Sequence, residues 1–503
     1  MRRSSRYWVR GIVAPLVALV VCINGCERLP VDAGAANSST TSVSTAVERT
    51  DGGDVDLAGL GDEYFPLAGN GGYDARHYEI ELTCDPYTGE LSGTTTVELE
   101  ALQVLETFHL DLTGLGVAGV EIEGVAVGYE RAGQELVVEC PATIQAGQTV
   151  SVAVTYSGKP VGLMSAEGYP EGWQWVEDTI YTLDEPEGAA TWYPVNDHPS
   201  DKATYEFRIT VPRPFVATAN GVLVETLDGG DEQTFVWKME QPMASYLAAV
   251  AVGEFVLEET TSPEGVPIRN YFDSALAGEA GEAFAITGEV IDYFSRLFGA
   301  YPFDVYGVVV PDATIGAAME NQTLSLFGRD VLEETMKDPF VGPMFLSHEL
   351  AHQWFGDSVT LGEWRDIWLN EGFAMYAGWL WAEHDLGPRG MTQWVNYARE
   401  RLASEDETPP GDPGVEDLFG TGVYERGGLT LHALRLTVGD QIFFGILREW
   451  VSRHAHGNVN TEDFISLVRE KAGHLSGFDV DIFFQGWLFD EQMPALPEME
   501  AAA

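Results

Sequence analysis

A multi-domain α+β architecture, an N-terminal domain of antiparallel β-sheet followed by a mainly helical domain, is what this sequence predicts. Three observations carry it. At 503 residues the chain exceeds what one hydrophobic core organises, and its length suggests about two or three domains. From Tyr73 to Leu257 apolar residues alternate in short runs broken by turn residues, the period of half-buried strands. From Glu258 to Ala503 the period lengthens to that of helices.

The elements follow in order. Residues 1–25 read as an export signal: Arg2, Arg3, Arg6 and Arg10 precede an apolar run over 12–23 that is short for a membrane span. Ile23-Asn24-Gly25-Cys26 resembles a lipoprotein processing site in which Cys26 becomes the lipidated N-terminus. An ordinary cleaved signal with an incidental cysteine is the alternative. The first reading places the chain outside the cytoplasm, in the cell envelope, held to the membrane outer face or periplasmic side by lipid alone. Residues 26–72 are rich in Ala, Gly, Ser, Thr and Asp and read as a flexible linker.

Within the β domain (73–257), strands are expected near 78–82, 95–99, 108–112, 135–139, 150–156 and 205–211. In the second domain (258–503), helical spacing covers 279–298, 343–355, 368–386, 391–403, 427–437 and 461–472, around a small sheet near 305–310. Gly356 suits a helix end, and Gly387-Pro388 ends the helix before it. Cys84 and Cys140 are the cysteines left in the folded body, and an oxidising compartment permits their pairing without requiring it.

Charge narrows the function. Against 27 Lys plus Arg stand 79 Asp plus Glu, a formal net charge of -52. Such a surface repels phosphate backbones and anionic lipid, which excludes nucleic acid as a partner. An acidic, salt-adapted soluble surface is the simpler reading, and an electrostatic trap for cationic substrates is the other.

One constellation carries chemistry. In His348-Glu349-Leu350-Ala351-His352 the two histidines lie four apart, so on a helix both imidazoles face one way and can close on one metal ion. Taken alone, this pattern also arises by chance on solvated helices. Glu371, near the start of the next predicted helix, can fold back as a third ligand, leaving one coordination position open. Glu349, adjacent but off the ligand face, is placed to take a proton from water and pass it to a leaving amine. That set of groups suits hydrolysis of a peptide or amide.

The chain resembles gluzincin zinc aminopeptidases of the aminopeptidase N type (membrane alanyl aminopeptidase-like), in a short form lacking the C-terminal helical domain. The resemblance rests on His348 to His352, on Asn370-Glu371-Gly372-Phe373-Ala374, and on Ala318-Met319-Glu320-Asn321 behind Gly316-Ala317. It implies a thermolysin-like catalytic domain, one Zn2+ ion held by His348, His352 and Glu371, and Glu349 as general base. It further implies that Glu320 binds the free α-amino group of a peptide, with Ala318, Met319 and Asn321 beside the substrate. Thr182-Leu183-Asp184-Glu185-Pro186 aligns with the segment that supplies a second amine-binding acid, so Glu185 inherits that role; a surface ion pair is its plainer alternative. Tyr424, in Tyr424-Glu425-Arg426-Gly427, inherits the donation to the oxyanion, and a buried packing aromatic is the alternative there.

The departures are specific. An alanine stands at the leading glycine's place before Ala318, Leu183 replaces the usual Gln, Ala190 the usual Arg, and Arg426 the usual Lys. Asp366 and Asn370 are candidates to orient the ligating imidazoles, and Trp354, Trp364 and Trp368 read as core. The resemblance runs to 483–487, which leads to the expectation of a two-domain enzyme with an open cleft. The expected function is a zinc metalloaminopeptidase acting on peptides with a free N-terminus. A catalytically silent peptide-binding module and a zinc endopeptidase are the alternatives; the leukotriene-hydrolase branch carries an added helical domain and fits less well.

Overall fold

The structure, a computed structural model, describes residues 57–497 apart from 166, 167, 169, 339 and 406. The export signal, Cys26 and residues 27–56 lie outside the described residues.

Strict alternation builds the first domain. In Lys202–Pro212 every second residue, Ala203, Tyr205, Phe207, Ile209 and Val211, is buried, as a strand with one solvated face requires. This strand lies third in an eight-stranded sheet ordered Val222–Asp228, Glu232–Ala244, Lys202–Pro212, Tyr73–Asp85, Glu90–Ala101, Thr149–Gly158, Gly116–Ile122, Val125–Ala126. A five-stranded sheet (Val216–Ala219, Val250–Gly253, Thr179–Leu183, Pro170–Val176, Leu163–Met164) and a three-stranded one complete the domain. The antiparallel expectation needs one correction: Tyr73–Asp85 pairs in parallel with Lys202–Pro212, His77 opposite Thr204. A long excursion through the other strands separates the two, which parallel pairing needs. Tyr78 stacks on Tyr205 across that pair, ring centroids 5.0 Å apart. Cys84, buried, and Cys140 are free thiols.

The second domain begins earlier than expected. A boundary at 257/258 would cut the strand Phe255–Thr261, which forms one edge of a mixed sheet with Pro267–Asp273, Val308–Val310, Ser325–Phe327 and Ala318–Met319. Ala318–Met319 is the opposite edge, and helices pack around the rest. Trp368–Leu386 ends as read, with Gly387 at φ +69° as its cap and Pro388 opening the next helix. The histidine helix, Gly342–Ala351, is shorter than expected: the chain turns at Gly356, φ +130°, where a Cβ would lie 3.2 Å from the Nδ1 of His352. The helices Arg329–Lys337 and Asp440–His454 are additions to the sequence reading.

The linker expectation fails for 57–72. This segment is a strap bonded to both domains, closed on itself by Gly59 N–H to Gly69 O and Leu60 N–H to Ala68 O. The buried Asp62 is its anchor, accepting from the backbone N–H of Tyr64 (2.8 Å), Phe65 (3.1 Å) and Trp364 (2.9 Å), with His198 Nε2 at 3.4 Å. Tyr64 donates its hydroxyl to Asp412 (2.6 Å) and accepts from Gly414 N–H (2.7 Å), while Phe65 meets the Trp364 ring edge-on. A composition poor in large apolar residues hid this, because the strap is held chiefly by hydrogen bonds. Burial pushes the Asp62 carboxyl up, but His198 and the three amides outweigh it and hold the group at about 2. A depressed carboxyl contributes stability above its unfolded value near 4 that is lost as the pH falls towards 2. Asp62→Ala is therefore expected to lower unfolding stability by about 1–3 kcal/mol at pH 7. The difference from wild type should shrink between pH 4 and 2 in urea titrations; a pH-independent difference would count against the anchor.

Candidate active site

The histidine helix and the helix Trp368–Leu386 cross so closely that three side chains meet. His348 Nε2 lies 3.1 Å from Glu371 Oε2, His352 Nε2 lies 3.5 Å from the same oxygen, and the two Nε2 atoms are 3.2 Å apart. A tetrahedral zinc site with bonds of about 2.0–2.2 Å separates its ligand atoms by roughly 3.3 Å, so this triangle has the size the ion needs. The donor set fits as well. His352 Nδ1 donates to the carbonyl of Phe355 at 3.0 Å, which leaves the Nε2 lone pair aimed at the triangle. All three side chains are buried. Burial lowers both imidazoles' pKa, yet the carboxylates of Glu320 and Glu371 hold His352 well above its usual value; burial raises Glu371, yet His352 and His348 hold it at about 2. A dication among these groups favours neutral imidazoles and a charged carboxylate instead, the states that ligate.

The close crossing has a local cause: a Cβ on Gly378 of the second helix would collide with Sδ of Met344 in the histidine helix. A Cβ on Gly372 would stand 2.9 Å from the Cα of Gly427, so the glycine next to Glu371 lets the helix Gly427–Val438 approach it. Just before that helix, Gly422–Arg426 forms a π-helical turn, a form common at functional sites, and presents Tyr424. Its ring stacks on His348 with centroids 5.9 Å apart. Arg426, fully buried, binds the carbonyls of Trp487, Gly486 and Asp490 and the carboxylate of Glu407, so the guanidinium ties this turn to the closing segment. A lysine has too few fixed donors to serve all four.

Around the triangle lie more acids than any metal requires. Glu349 is buried, and burial with the neighbouring Glu320 and Glu371 pushes its carboxyl well up. Glu185 and Glu320 each place a carboxylate oxygen within 4.8 Å of Glu371 and of one another. Among the described residues Oε1 of each is buried with no hydrogen-bond partner, and burial raises both groups' pKa, with Glu371 adding to the shift. Unpaired buried carboxylates are costly unless a cation joins them. Ala318 and Met319 form the edge strand leading to Glu320, and Asn321, buried, follows with its side-chain oxygen unpaired.

The two residues expected to orient the imidazoles do something else. Asp366 accepts from Thr461 N–H and Oγ1–H, and Asn370 Nδ2–H donates to Tyr246. The group that orients His352 is the Phe355 carbonyl, set by the turn at Gly356. Two contributors escaped the sequence reading. Gln353 donates to the Glu320 carbonyl (3.1 Å) and accepts from Thr323 N–H (2.9 Å), tying the edge-strand segment to the histidine helix. Lys202 reaches across from the β domain and donates to Asp357 O (2.8 Å), Ser358 O (3.3 Å) and Thr360 Oγ1 (2.8 Å). Its only sequence signal was rarity, one lysine of five.

Two histidines a helical turn apart, a glutamate from a second helix and a buried acid beside them define a metallohydrolase centre. Residues 74–247 match the peptidase M1 N-terminal domain and residues 282–487 the peptidase family M1 domain. An M1 zinc metallopeptidase mutant of Deinococcus radiodurans, bound to a Tyr-Ser-Ala substrate, is 31% identical, with TM-score 0.79 over 88% of this chain and 99% of that one. The chain belongs to peptidase family M1, a family that implies a single catalytic zinc ion. Aminopeptidase N of Streptomyces lividans is 26% identical over 86% of this chain and 52% of its own length. Probable M1 family aminopeptidase 1 of Encephalitozoon cuniculi is 28% identical over 78% of this chain and 48% of its own length. The chain thus spans about half the length of the curated relatives it matches.

Proposed function

We propose that the chain is a zinc aminopeptidase that releases the N-terminal residue of peptides. The observation that carries this reading is the pair of buried carboxylate oxygens beside the ligand triangle, Oε1 of Glu185 and of Glu320, which accept no hydrogen bond among the described residues. A substrate ammonium can donate the hydrogen bonds those oxygens lack, and a charge-assisted contact in a partly dry cleft fixes how far from the amino end the scissile carbonyl lies. His348, His352 and Glu371 would hold the zinc ion, which when bound would supply Lewis acidity towards water and a carbonyl. Glu349 accepts the proton of the attacking water and delivers it to the leaving amine, a transfer that its burial among acids favours. Tyr424 donates its hydroxyl to the oxygen on which charge develops. Ala318 and Met319 offer edge-strand backbone to an extended peptide, with Asn321 next to them.

The D. radiodurans relative bound to a Tyr-Ser-Ala substrate supports peptides as the substrate class. The test compares one fluorogenic substrate with its α-amine free and acetylated. Cleavage of the free amine alone, by at least about a hundredfold, is expected from loss of a charge-assisted contact to two carboxylates. Equal cleavage would point to an endopeptidase, and cleavage of neither to a silent peptide-binding module.

The proposal extends to location: an exported protein anchored to the envelope through a lipid on Cys26. Support comes from residues 1–26 alone, and no helix among the described residues is long and apolar enough to cross a membrane.

A further inference from the structure

Tyr424 sits in the middle of a backbone turn that its surroundings must hold. Gly422–Arg426 is a single π-helical turn, a rare form that persists where neighbouring groups over-determine it. Three contacts do so here. The backbone of Gly422 passes so close to the Thr408 carbonyl that a Cβ there would collide with it. Arg401, from the helix Pro388–Ser404, donates to Thr421 Oγ1 (2.8 Å) just before the turn and to Glu425 Oε1 (3.0 Å) near its end. Arg426, the last residue of the turn, makes the third contact.

Its guanidinium serves a second element. Val480–Phe484 is a short helix that runs into another π-helical turn, Gln485–Phe489, and stops at Asp490. A helix end leaves its last carbonyls without intrahelical donors. Here Gly486 O and Trp487 O accept from Arg426 Nη2 (3.2 Å) and Nε (2.8 Å), Asp490 O accepts from Nη2, and Leu488 O accepts from Gly411 N–H (2.9 Å). Nη1 donates to Glu407 Oε1 at 2.8 Å. Arg426 is fully buried, so water does not compete for these bonds. The planar fork therefore fixes the turn of Tyr424 to a segment some sixty residues further on, Nε to Trp487 O across 61 positions.

The consequence reaches the reaction centre. Tyr424 is two residues from Arg426 in the same turn, and its ring stacks on His348 with centroids 5.9 Å apart. A hydroxyl stabilises developing charge only from hydrogen-bond distance, and a misplacement of about 1 Å forfeits much of its effect.

We infer that Arg426 is a positioning residue for Tyr424, with the closing segment 485–490 as the fixed point against which it sets the phenol. The inference rests on the oxyanion reading of Tyr424 and goes beyond it in assigning what holds the donor in place.

The test is a double-mutant cycle on the zinc-loaded full protein. Arg426→Lys keeps the charge and loses the fork. Its kcat is expected to fall by at least about tenfold, though by no more than Tyr424→Phe lowers it, with KM within about twofold and zinc content unchanged. In the Tyr424→Phe background the same substitution should cost less than about twofold, because the group it positions is gone. Glu407→Gln, at the half-buried outer end of the clamp, should repeat the cycle with a smaller loss of about threefold, and it decides the matter where Arg426→Lys does not fold. Separately, 3-fluorotyrosine placed at 424 should give one narrow 19F resonance in the wild type and a broadened or second resonance in either variant. A loss of equal size in both backgrounds, kcat unchanged in both variants, or an unaltered 19F signal overturns the inference. If Tyr424→Phe keeps wild-type kcat, the oxyanion reading fails by itself, and the 19F signal still decides whether Arg426 holds the ring.

Discussion

Glu349→Gln is expected to bind its metal at full stoichiometry and to lose turnover by about 10^2 to 10^4-fold, the range that positioned proton transfer contributes. The ligand triangle consists of His348, His352 and Glu371 alone, and Glu349 has no part in its distances. The amide keeps the volume of the carboxyl at a buried position, so packing is not the variable. What changes is basicity, since a carboxamide cannot take up a proton near neutrality. The decisive measurement is metal content together with kcat on the same preparation. Activity within tenfold of wild type at full metal loading would remove Glu349 as the proton carrier, and loss of metal would show that the residue supports the ligands instead.

Glu371→Ala should remove the metal itself, with metal content on dialysis falling from one per chain to well below one. Glu371 Oε2 is the atom both imidazoles approach, at 3.1 and 3.5 Å, and without it two nitrogens 3.2 Å apart face one another with no anion between them. Two neutral ligands bind zinc far more weakly than two plus a carboxylate. The variant should also lose the rise in Tm that added zinc gives the metal-free wild type, because a ligand stabilises only the state that binds it. The effect deepens at acid pH, where protons compete for the imidazoles. An undiminished metal content would place the third ligand elsewhere, and Glu320, whose Oε1 is 3.8 Å from His352 Nδ1, is the next carboxylate.

Legibility followed the physics of each signal. The helix Trp368–Leu386 was read to its ends because Gly387-Pro388 is a local stop. The helix Gly342–Ala351 was read too long, because what ends it is the turn through Gly356, packed against His352 and Asn370. The helix Asp440–His454 was legible and is missing from the sequence reading, since its buried face, Phe443, Ile446, Leu447, Trp450 and Val451, recurs at helical spacing. The group that orients His352 is a main-chain carbonyl, which every residue carries and no sequence advertises. The strap 57–72 looked like tether by composition, and its order comes from one carboxylate accepting three amides, two of them from neighbours in the chain and one from Trp364.

By itself the sequence determined the two-part architecture, the ligand spacing at His348 and His352, and the identity of the residues that meet there. Those are properties of period and spacing along one chain, and local geometry translates them directly. Tertiary structure alone decided that Gly372 and Gly427 bring two helices into contact, that Lys202 crosses between domains, and that Arg426 ties the turn of Tyr424 to the closing segment. These join residues far apart in the chain, and which of many apolar or charged partners meet is settled only when the whole core packs.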